Sequence, residues 1–240
     1  FKNNGNWYKG NLHSHTTVSD GKMTPEQSVE VYKEHGYNFL ALSEHDIYTD
    51  YRKQYNTDNF IMIPAIEASA ILYQEEGSSK RLEIHHLHGI LGTSEMQKNA
   101  KAPLFTHMEH VPPQKHYGTW RGREISQEIA DMLRDRGCVV TYNHPIWSRV
   151  TEEEFIYTEG VQALEIFNYN TVLESNTGYD VTYWDRMLRM GKKINGFASD
   201  DNHNEGLFED SCGGWICVQA PELTHDAIIQ NFLDGNYYSS

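Results

Sequence analysis

Apolar strand-like runs alternate with amphipathic helices along most of the chain, and this alternation limits the fold more than any other feature. In the first unit, Thr24 caps a helix that has Pro25 in its first turn and ends at Gly36, and an apolar run follows from Phe39. Further apolar runs occupy 60–66, 84–91, 138–142, 161–167, 194–198 and 215–218, and further helical patterns occupy 125–136, 180–190 and 224–234. Strands joined through helices lie parallel, so the sequence predicts an α/β fold.

Histidines and carboxylates follow the ends of most apolar runs. His13 and His15 lie two residues apart, so on a strand both imidazoles point to the same face. The other members of the set are Asp20, His45, Glu67, one of His85, His86 and His88, then His144, Asp201 and His203. Because the C-terminal ends of strands in a parallel barrel meet on one face, these side chains are expected to converge there.

The composition of this set indicates metal binding. It contains nine nitrogen and oxygen donors and no thiolate, which suits borderline to hard divalent ions such as Zn, Mn or Fe(II). One tetrahedral ion takes four ligands, so the set is expected to hold two or three ions. Such cations would also offset part of the net charge of −14.

The bulk composition excludes several classes of protein. A hydrophobic content of 38% over 240 residues is enough for one barrel-sized domain, and no apolar run is long enough to span a membrane. The net charge leaves no basic face in bulk for duplex nucleic acid. Cys138, Cys212 and Cys217 form no C-x-x-C pair and argue against a disulfide framework. The start at Phe1 slightly favours an exported or periplasmic protein over a cytoplasmic one, and the compartment and the oligomeric state stay open.

Taken together, the motifs resemble the polymerase and histidinol phosphatase (PHP) family of metal-dependent phosphoesterases. The matching residues are His13-x-His15, Asp20-Gly21, Glu44-His45-Asp46, Glu67, His86-x-x-Gly89, Asn143-His144-Pro145 and Asp201-x-His203, in the family order. The resemblance implies a distorted (β/α)7 TIM-like barrel with a trinuclear metal site at the C-terminal ends of the strands. It implies a single PHP-type domain over residues 1–240, to which a removed N-terminal segment and a missing C-terminal domain could once have been joined.

The resemblance also implies how the ligands are shared. His13, His15, Glu67 and Asp201 would hold one ion, Glu67 would bridge to a second ion held by His86 and His144, and Asp20, His45 and His203 would hold a third. The family spacing to Gly89 favours His86 among the three histidines of its run. Strand geometry places His86 and His88 on one face, so the choice stays open.

The implied reaction is hydrolysis of a small phosphate monoester or diester by a hydroxide that the ions activate. The residues expected to act through this water are His13, His15, Glu67, His144 and Asp201. Arginine forms bidentate contacts with phosphate oxygens, and the residues predicted to bind the substrate are Arg121, Arg123 and Arg186. The expected partner is therefore a small phosphorylated molecule.

Three other functions stay open. Segments 165–168, 183–185 and 233–239 resemble a branch of the family with carbamate-hydrolase-like members, so the bond cleaved could be a carboxylic ester, amide or carbamate. A metal-binding module without turnover is the second alternative. An exonuclease is the third, and the acidic balance makes a long nucleic acid a poorer substrate than a small molecule.

Residues 92–124 do not follow the alternation. They carry several histidines and prolines without a clean periodicity. A long irregular stretch in a compact domain is either a lid or binding loop, or a solvated excursion. Both interpretations stay open from the sequence.

Overall fold

The structure is a computed structural model, and it describes residues 5–204 and 209–240. Within these residues the strands are β1 Asn6–Asn11, β2 Phe39–Leu40, β3 Ile47–Tyr48, β4 Ile61–Met62, β5 Ala65–Tyr73, β6 Arg81–Leu91, β7 Glu109–His110, β8 Gln114–Tyr117, β9 Cys138–Tyr142, β10 Val161–Asn168, β11 Asn195–Ser199, β12 Ile216–Ala220 and β13 Tyr237–Ser239. The helices are α1 Pro25–Glu34, α2 Arg52–Tyr55, α3 Ser94–Lys98, α4 Gly122–Asp135, α5 Pro145–Ser148, α6 Glu152–Phe155, α7 Tyr169–Ser175, α8 Val181–Arg189 and α9 His225–Leu233.

The strands form two main sheets and one small pair. The first sheet has the order β13-β12-β1-β2-β4, the second has the order β11-β10-β9-β6-β5-β8, and β3 pairs with β7. Strands β1, β2 and β4 run parallel, and so do β9, β10 and β11. The predicted mixed α/β fold is therefore confirmed.

The hairpin of β5 and β6 departs from the predicted parallel order. Strand β6 runs antiparallel to both β5 and β9. Glu67 consequently lies near the start of β5 and His86 in the middle of β6, not at C-terminal strand ends as the sequence analysis expected. His86 is nevertheless level with the end of β9, because the N–H of Asn143 donates to its carbonyl at 3.1 Å.

The two main sheets meet at isolated bridges. Ser14 pairs with Asn202 beyond β1 and β11, and His45 pairs with Glu67 beyond β2. Across residues 5–204 and 209–240 no continuous ladder joins the two sheets, so the structure does not show a closed (β/α)7 barrel. Both bridges lie next to predicted ligands, which places the junction of the sheets at the candidate site.

Helix α4 covers the outer face of the second sheet. Ile125, Ile129 and Leu133 recur every four residues on one side of the helix and are almost fully buried. They pack with Leu87 of β6 and Val140 of β9. Burying each such side chain contributes about 1.5–3 kcal/mol. This packing fixes from behind the two strands that lead to His86 and His144.

Helix α1 supports the loop that follows β11. A capping box of Thr24 and Gln27 starts the helix, as the sequence predicts. Tyr32 is fully buried, and its hydroxyl donates to Asp200 Oδ2 at 2.6 Å. Asp200 also accepts from three successive backbone N–H groups at 2.7–2.8 Å, beginning at Cys212. The segment that carries Asp201 is thereby held on both sides.

Most of the 92–124 region is tied to the rest of the fold. Strand β8 extends the second sheet by pairing with β5, and β7 pairs with β3. This pairing favours a structural role over a solvated excursion. The three cysteines are free thiols. Among the described residues, no helix combines the length and the apolar character that crossing a membrane requires.

Candidate metal centre

Four donors meet at the base of a pocket, and we call them the inner group: His13, His15, Glu67 and Asp201. His13 Nε2 and His15 Nε2 are 3.2 Å apart. Asp201 Oδ1 lies 2.9 Å from the first nitrogen and 3.0 Å from the second. Glu67 Oε1 is 3.1 Å from His13 Nε2. All four side chains are at most 6% exposed.

The spacing of these donors fits ligands around one ion. Tetrahedral coordination at about 2.1 Å puts neighbouring ligand atoms about 3.4 Å apart. Several donor atoms are also buried without a hydrogen-bond partner in the part of the chain that the structure describes: Glu67 Oε2, Asp201 Oδ1, His45 Nδ1 and His86 Nδ1. An unpaired buried polar atom costs about 1–3 kcal/mol. Divalent cations would satisfy these atoms, so the residues present fit a metal centre.

Glu67 faces a different set of imidazoles with each carboxylate oxygen. Its Oε1 lies 3.1, 3.4 and 3.3 Å from His13 Nε2, His86 Nδ1 and His144 Nε2. Its Oε2 lies 3.4 and 2.9 Å from His15 Nε2 and His45 Nδ1. Glu67 could therefore contribute one oxygen to each of two ions.

An outer group lies nearer the pocket mouth and consists of Asp20, His45 and His203. His203 Nε2 is 3.3 Å from Asp20 Oδ1, and His45 Nε2 is 3.6 Å from Asp20 Oδ2. His203 Nδ1 donates to the carbonyl of Asp201 at 2.8 Å, which leaves Nε2 with the lone pair. His15 also lies within reach of this group.

The distances divide the remaining donors differently from the expected partition. His86 falls together with His45 and Glu67, whereas His144 falls together with His13 and Glu165. Glu67 remains common to the His86 and His144 contacts through Oε1. All nine predicted ligands are therefore brought into one region, and their ligand roles stay a prediction.

Of the three histidines on β6, His86 is the one that lines the pocket. His85 points to the opposite face of the sheet, where its ring stacks on Trp120 with 5.0 Å between centroids. His88 shares the face of His86 but is fully buried, and its ring packs edge-on against His13 at 4.2 Å. Strand alternation alone could not separate His86 from His88.

Two donor residues lie on left-handed backbone. His144 has a φ of 24° and Asp201 a φ of 53°. Such a conformation costs a residue other than glycine about 1–3 kcal/mol and is concentrated at functional sites. The N–H of Asp201 donates to the carbonyl of His13 at 2.9 Å, and the N–H of His144 donates to Glu165 Oε2 at 3.0 Å. These bonds hold the strained residues in place.

Known structures resemble this fold, although no family model and no curated protein matches the chain. A two-domain protein from Bacteroides vulgatus, containing a predicted PHP-like metal-dependent phosphoesterase, matches with a TM-score of 0.59 at 16% identity over 98% of this chain. The chain spans 65% of the length of that protein. A candidate metal-dependent phosphoesterase from Bifidobacterium adolescentis matches with a TM-score of 0.51 at 14% identity, covering 95% of this chain and 96% of its own.

The third neighbour is an amidohydrolase from Chromobacterium violaceum, solved with bound sulfate and no metal. It matches with a TM-score of 0.54 at 13% identity, covering 95% of this chain and 97% of its own. The chain has a PHP-like fold. The resemblance predicted from the motifs is thus confirmed, and at these identities the likeness shows the fold alone.

The electrostatic field of the site favours positive charge at the inner group. Burial alone would lower the pKa of His15, but the carboxylates of Asp201 and Glu67 outweigh it and raise the pKa to about 10. Burial is likewise outweighed at His13, whose pKa is raised well above its usual value. Conversely, despite burial, the histidines hold the pKa of Glu67 and of Asp201 well below the usual value. Once the imidazoles have lost these protons, the same carboxylates would stabilise a bound divalent ion.

Two further histidines offer lone pairs at neutral pH. Burial lowers the pKa of His86 to about 4, against an opposing effect of Glu67. Burial and the charge of His15 lower the pKa of His45. Both imidazoles are therefore neutral and suited to bind a cation without first losing a proton.

A cavity of about 650 Å³ opens above both groups. Apart from the proposed ligands, its lining residues are Lys22, Arg81, Trp147, Asn170, Thr171, Glu174 and Asp210. The lining thus combines cations, carboxylates and one large aromatic side chain. No residue of the described 92–124 region lines the cavity, so a lid role for that region gains no support.

The three arginines predicted to bind substrate lie elsewhere. Arg186 pairs with Glu152, and the guanidinium of Arg123 lies 4.7 Å from the ring centroid of Tyr157. Arg121 immediately precedes α4 and is exposed. These positions belong to helices on the outside of the second sheet, so in the described chain none of the three arginines lines the cavity. The cations that do so are Lys22 and Arg81.

The sequence analysis missed a buried carboxylate directly behind the inner group. Glu165 Oε1 is 2.8 Å from His13 Nδ1, on the side of the ring opposite Nε2. A signal was present, because Glu165 and Asn168 lie near the end of an apolar strand, as the predicted ligands do. Their segment was interpreted only as a resemblance to one branch of the family.

A second missed carboxylate, Glu44, shapes the loop that carries Asp20. It is fully buried beside the outer group. It accepts from the backbone N–H of Thr16 at 3.0 Å and from the hydroxyls of Thr16 and Ser19 at 2.5 Å. Glu44 was part of the motif Glu44-His45-Asp46, but the sequence analysis gave it no role in the site.

Proposed function

We propose that this chain is a metal-dependent hydrolase that uses two or three divalent ions, Zn, Mn or Fe, to cleave the phosphate ester of a small molecule. The observation that carries the proposal is Glu67, whose two oxygens face different imidazoles at 2.9–3.4 Å. Paired ions sharing a ligand are widely used to hydrolyse phosphate esters. The proposed metal ligands are His13, His15, Asp20, His45, Glu67, His86, His144, Asp201 and His203.

The role of the protein side chains is to hold the donor atoms at fixed positions around the ions. When bound, divalent ions would lower the pKa of a water molecule and stabilise charge on the phosphate oxygens. His13 and His15 present their Nε2 atoms to one point, and Asp201 presents Oδ1 to the same point. Because these donors are buried and already close together, little reorganisation is required of them during the reaction.

The cavity favours a small anionic substrate. Its volume of about 650 Å³ lies within the range of small-molecule sites. Arg81 and Lys22 bring positive charge to its wall, which suits a phosphate near the ions. Trp147 adds a flat wall, and its indole N–H donates to Glu174 at 2.8 Å. The organic part of the substrate is proposed to lie along this wall.

Hydrolysis of a carboxylic ester, an amide or a carbamate at the same ions is the second candidate. Metal ions polarise a carbonyl oxygen as well as a phosphoryl oxygen. The fold likeness to the Chromobacterium violaceum amidohydrolase supports this alternative. A substrate panel separates the two reactions.

The test is turnover by the metal-loaded protein. The protein is freed of metal by a chelator, reloaded with Zn, Mn or Fe(II), and assayed with nitrophenyl phosphate, bis-nitrophenyl phosphate, nitrophenyl acetate and a nitrophenyl carbamate. We expect phosphate turnover that requires metal and is lost in Glu67→Gln. Acyl or carbamate turnover alone would select the second candidate. Degradation of single-stranded DNA would indicate an exonuclease, and metal binding without any turnover would indicate a non-catalytic module.

A further inference from the structure

Glu165 is a fully buried carboxylate outside the proposed ligand set, and it lies on β10 between β9 and β11. His13 Nδ1 donates to its Oε1 at 2.8 Å, and the hydroxyl of Ser199 donates to the same oxygen. Its Oε2 accepts from the backbone N–H of His144 and from Asn168 Nδ2, both at 3.0 Å. Glu165 thus connects the ends of several strands that carry proposed ligands.

These four donors occupy the carboxylate of Glu165 completely. An ionised carboxylate accepts about four hydrogen bonds, and Glu165 receives two at each oxygen. Glu165, His13 and His144 lie close enough together to form a metal-binding group. The acceptor positions of Glu165 are nevertheless filled by protein N–H and O–H groups. This saturation favours a supporting role over direct ligation.

The bond to Glu165 decides which nitrogen of His13 can bind an ion. Because Nδ1 donates to a carboxylate, the neutral imidazole carries its proton at Nδ1, and Nε2 then keeps its lone pair. Nε2 is the atom that faces His15 Nε2 at 3.2 Å and Asp201 Oδ1 at 2.9 Å. A carboxylate behind an imidazole fixes its orientation and makes it a more basic ligand.

Asn168 extends the same support to Asp201. The two hydrogens of its amide nitrogen are directed to Glu165 Oε2 at 3.0 Å and to Asp201 Oδ2 at 2.9 Å. Asp201 Oδ1 is therefore left for the inner group. The side-chain oxygen of Asn168, Oδ1, accepts from the backbone N–H of Thr171 and so caps α7. This bond fixes the orientation of the side-chain amide.

We propose that Glu165 and Asn168 are positioning residues for the ion of the inner group. Glu165 sets the tautomer of His13 and holds the backbone of His144 in its left-handed conformation, while Asn168 turns Asp201 Oδ1 toward the ion. The inference rests on the metal centre of the proposed function but is independent of the bond that is cleaved.

The test compares metal affinities of Glu165→Gln and wild type. Glutamine keeps the size of the side chain but replaces one acceptor oxygen by a donor. Competition of Zn(II) and Co(II) with a chromophoric chelator is expected to show an inner-ion affinity about 10–100-fold weaker. Ion stoichiometry at saturating metal should not change. The matched control is Asp180→Asn, since Asp180 is equally buried but accepts from the backbone of Ile146 at 3.0 Å. It should leave the affinity unchanged.

Two outcomes would overturn the inference. Loss of one ion from Glu165→Gln at saturating metal, with a Co(II) absorption spectrum that reports a lower coordination number, would make Glu165 a ligand. Wild-type affinity would remove its positioning role. If Glu165→Gln does not fold, Asn168→Ser decides, because serine still caps α7 but lacks both amide donors. Its inner-ion affinity should fall, and an unchanged value counts against the proposal. Turnover is not measured, so an inactive protein tests the inference equally well.

Discussion

The inner and outer groups use the same residue types in opposite surroundings. The inner donors are sealed from solvent, whereas Asp20 in the outer group is 55% exposed and His45 is 25% exposed. Inner donors are also supported from behind: Glu165 holds His13, and Asn143 donates to Glu67 Oε1 at 2.7 Å. Burial and secondary hydrogen bonds together make a rigid site. We therefore expect one tightly held ion and one that exchanges readily.

The largest effect is expected from Glu67→Ala, because Glu67 faces both groups. Removing both oxygens should abolish binding of two ions together and lower phosphate turnover by about 10³-fold or more, which corresponds to about 4 kcal/mol. Elemental analysis of the purified variant and its turnover rate measure this. Glu222→Ala, at an exposed position, is the control. Loss of a single ion would mean that the two groups do not share Glu67.

His45→Ala should separate the groups. We expect this variant to weaken or lose the outer ion while the inner ion is retained. His45 lies in the outer group, and it meets the inner group at Glu67 Oε2, 2.9 Å from its Nδ1, and at the ring of His15, with 4.1 Å between centroids. Metal content after dialysis against a weak chelator is the measurement. If His45→Ala and Glu67→Ala lose the same ions, the division into inner and outer groups is wrong.

The ion-free protein should lose stability as the pH rises. The pKa of His15 is raised from 6.5 to about 10, so the folded chain binds a proton that the unfolded chain has released. This stabilisation is complete below pH 6.5 and disappears as the pH passes about 10. Thermal unfolding of ion-free and loaded protein over this range gives the comparison. The loaded protein should lack the decline, since the ion replaces the proton, and parallel curves would contradict the assignment.

The smallest effect is expected at the cavity wall. Arg81→Ala should raise KM for a phosphate monoester about fivefold, or about 1 kcal/mol, because an exposed guanidinium contributes a modest charge-assisted contact. Arg186→Ala is the matched control, since its guanidinium pairs with Glu152 outside the cavity. Steady-state kinetics of both variants test this. Equal KM values would remove Arg81 from substrate recognition.

Local sequence rules predicted those parts of the site that follow strand ends. His13, His144 and Asp201 each lie two residues beyond the end of β1, β9 or β11, and parallel strands bring such positions together. Caps and apolar periodicity likewise located α1 and α4 within a few residues. These features depend on short stretches of chain, so the sequence contains the information directly.

The predictions that failed concern features that depend on contacts between distant segments of the chain. The antiparallel course of β6 is set by its pairing with β9, and no feature of its own stretch revealed that direction. His86 and His88 lie on the same face of the sheet, and the feature that separates them is that His86 lines the pocket while His88 is fully buried. Arg121 and Arg123 were chosen from an irregular region and Arg186 from a predicted helix, but α4 and α8, which carry or follow them, pack outside the second sheet. Glu165 was missed because a support for a ligand has no spacing rule of its own.

The isolated bridges between the sheets have a mechanical consequence. Among residues 5–204 and 209–240, the β-bridges between the two main sheets are Ser14–Asn202 and His45–Glu67. The proposed ligands come from both sides, with His13 after β1 and Glu67 in β5. Bound ions would therefore crosslink the two sheets where few backbone hydrogen bonds join them. Removal of the ions should accelerate amide hydrogen exchange first at this junction of the two sheets, before exchange increases in the helices that cover the sheets.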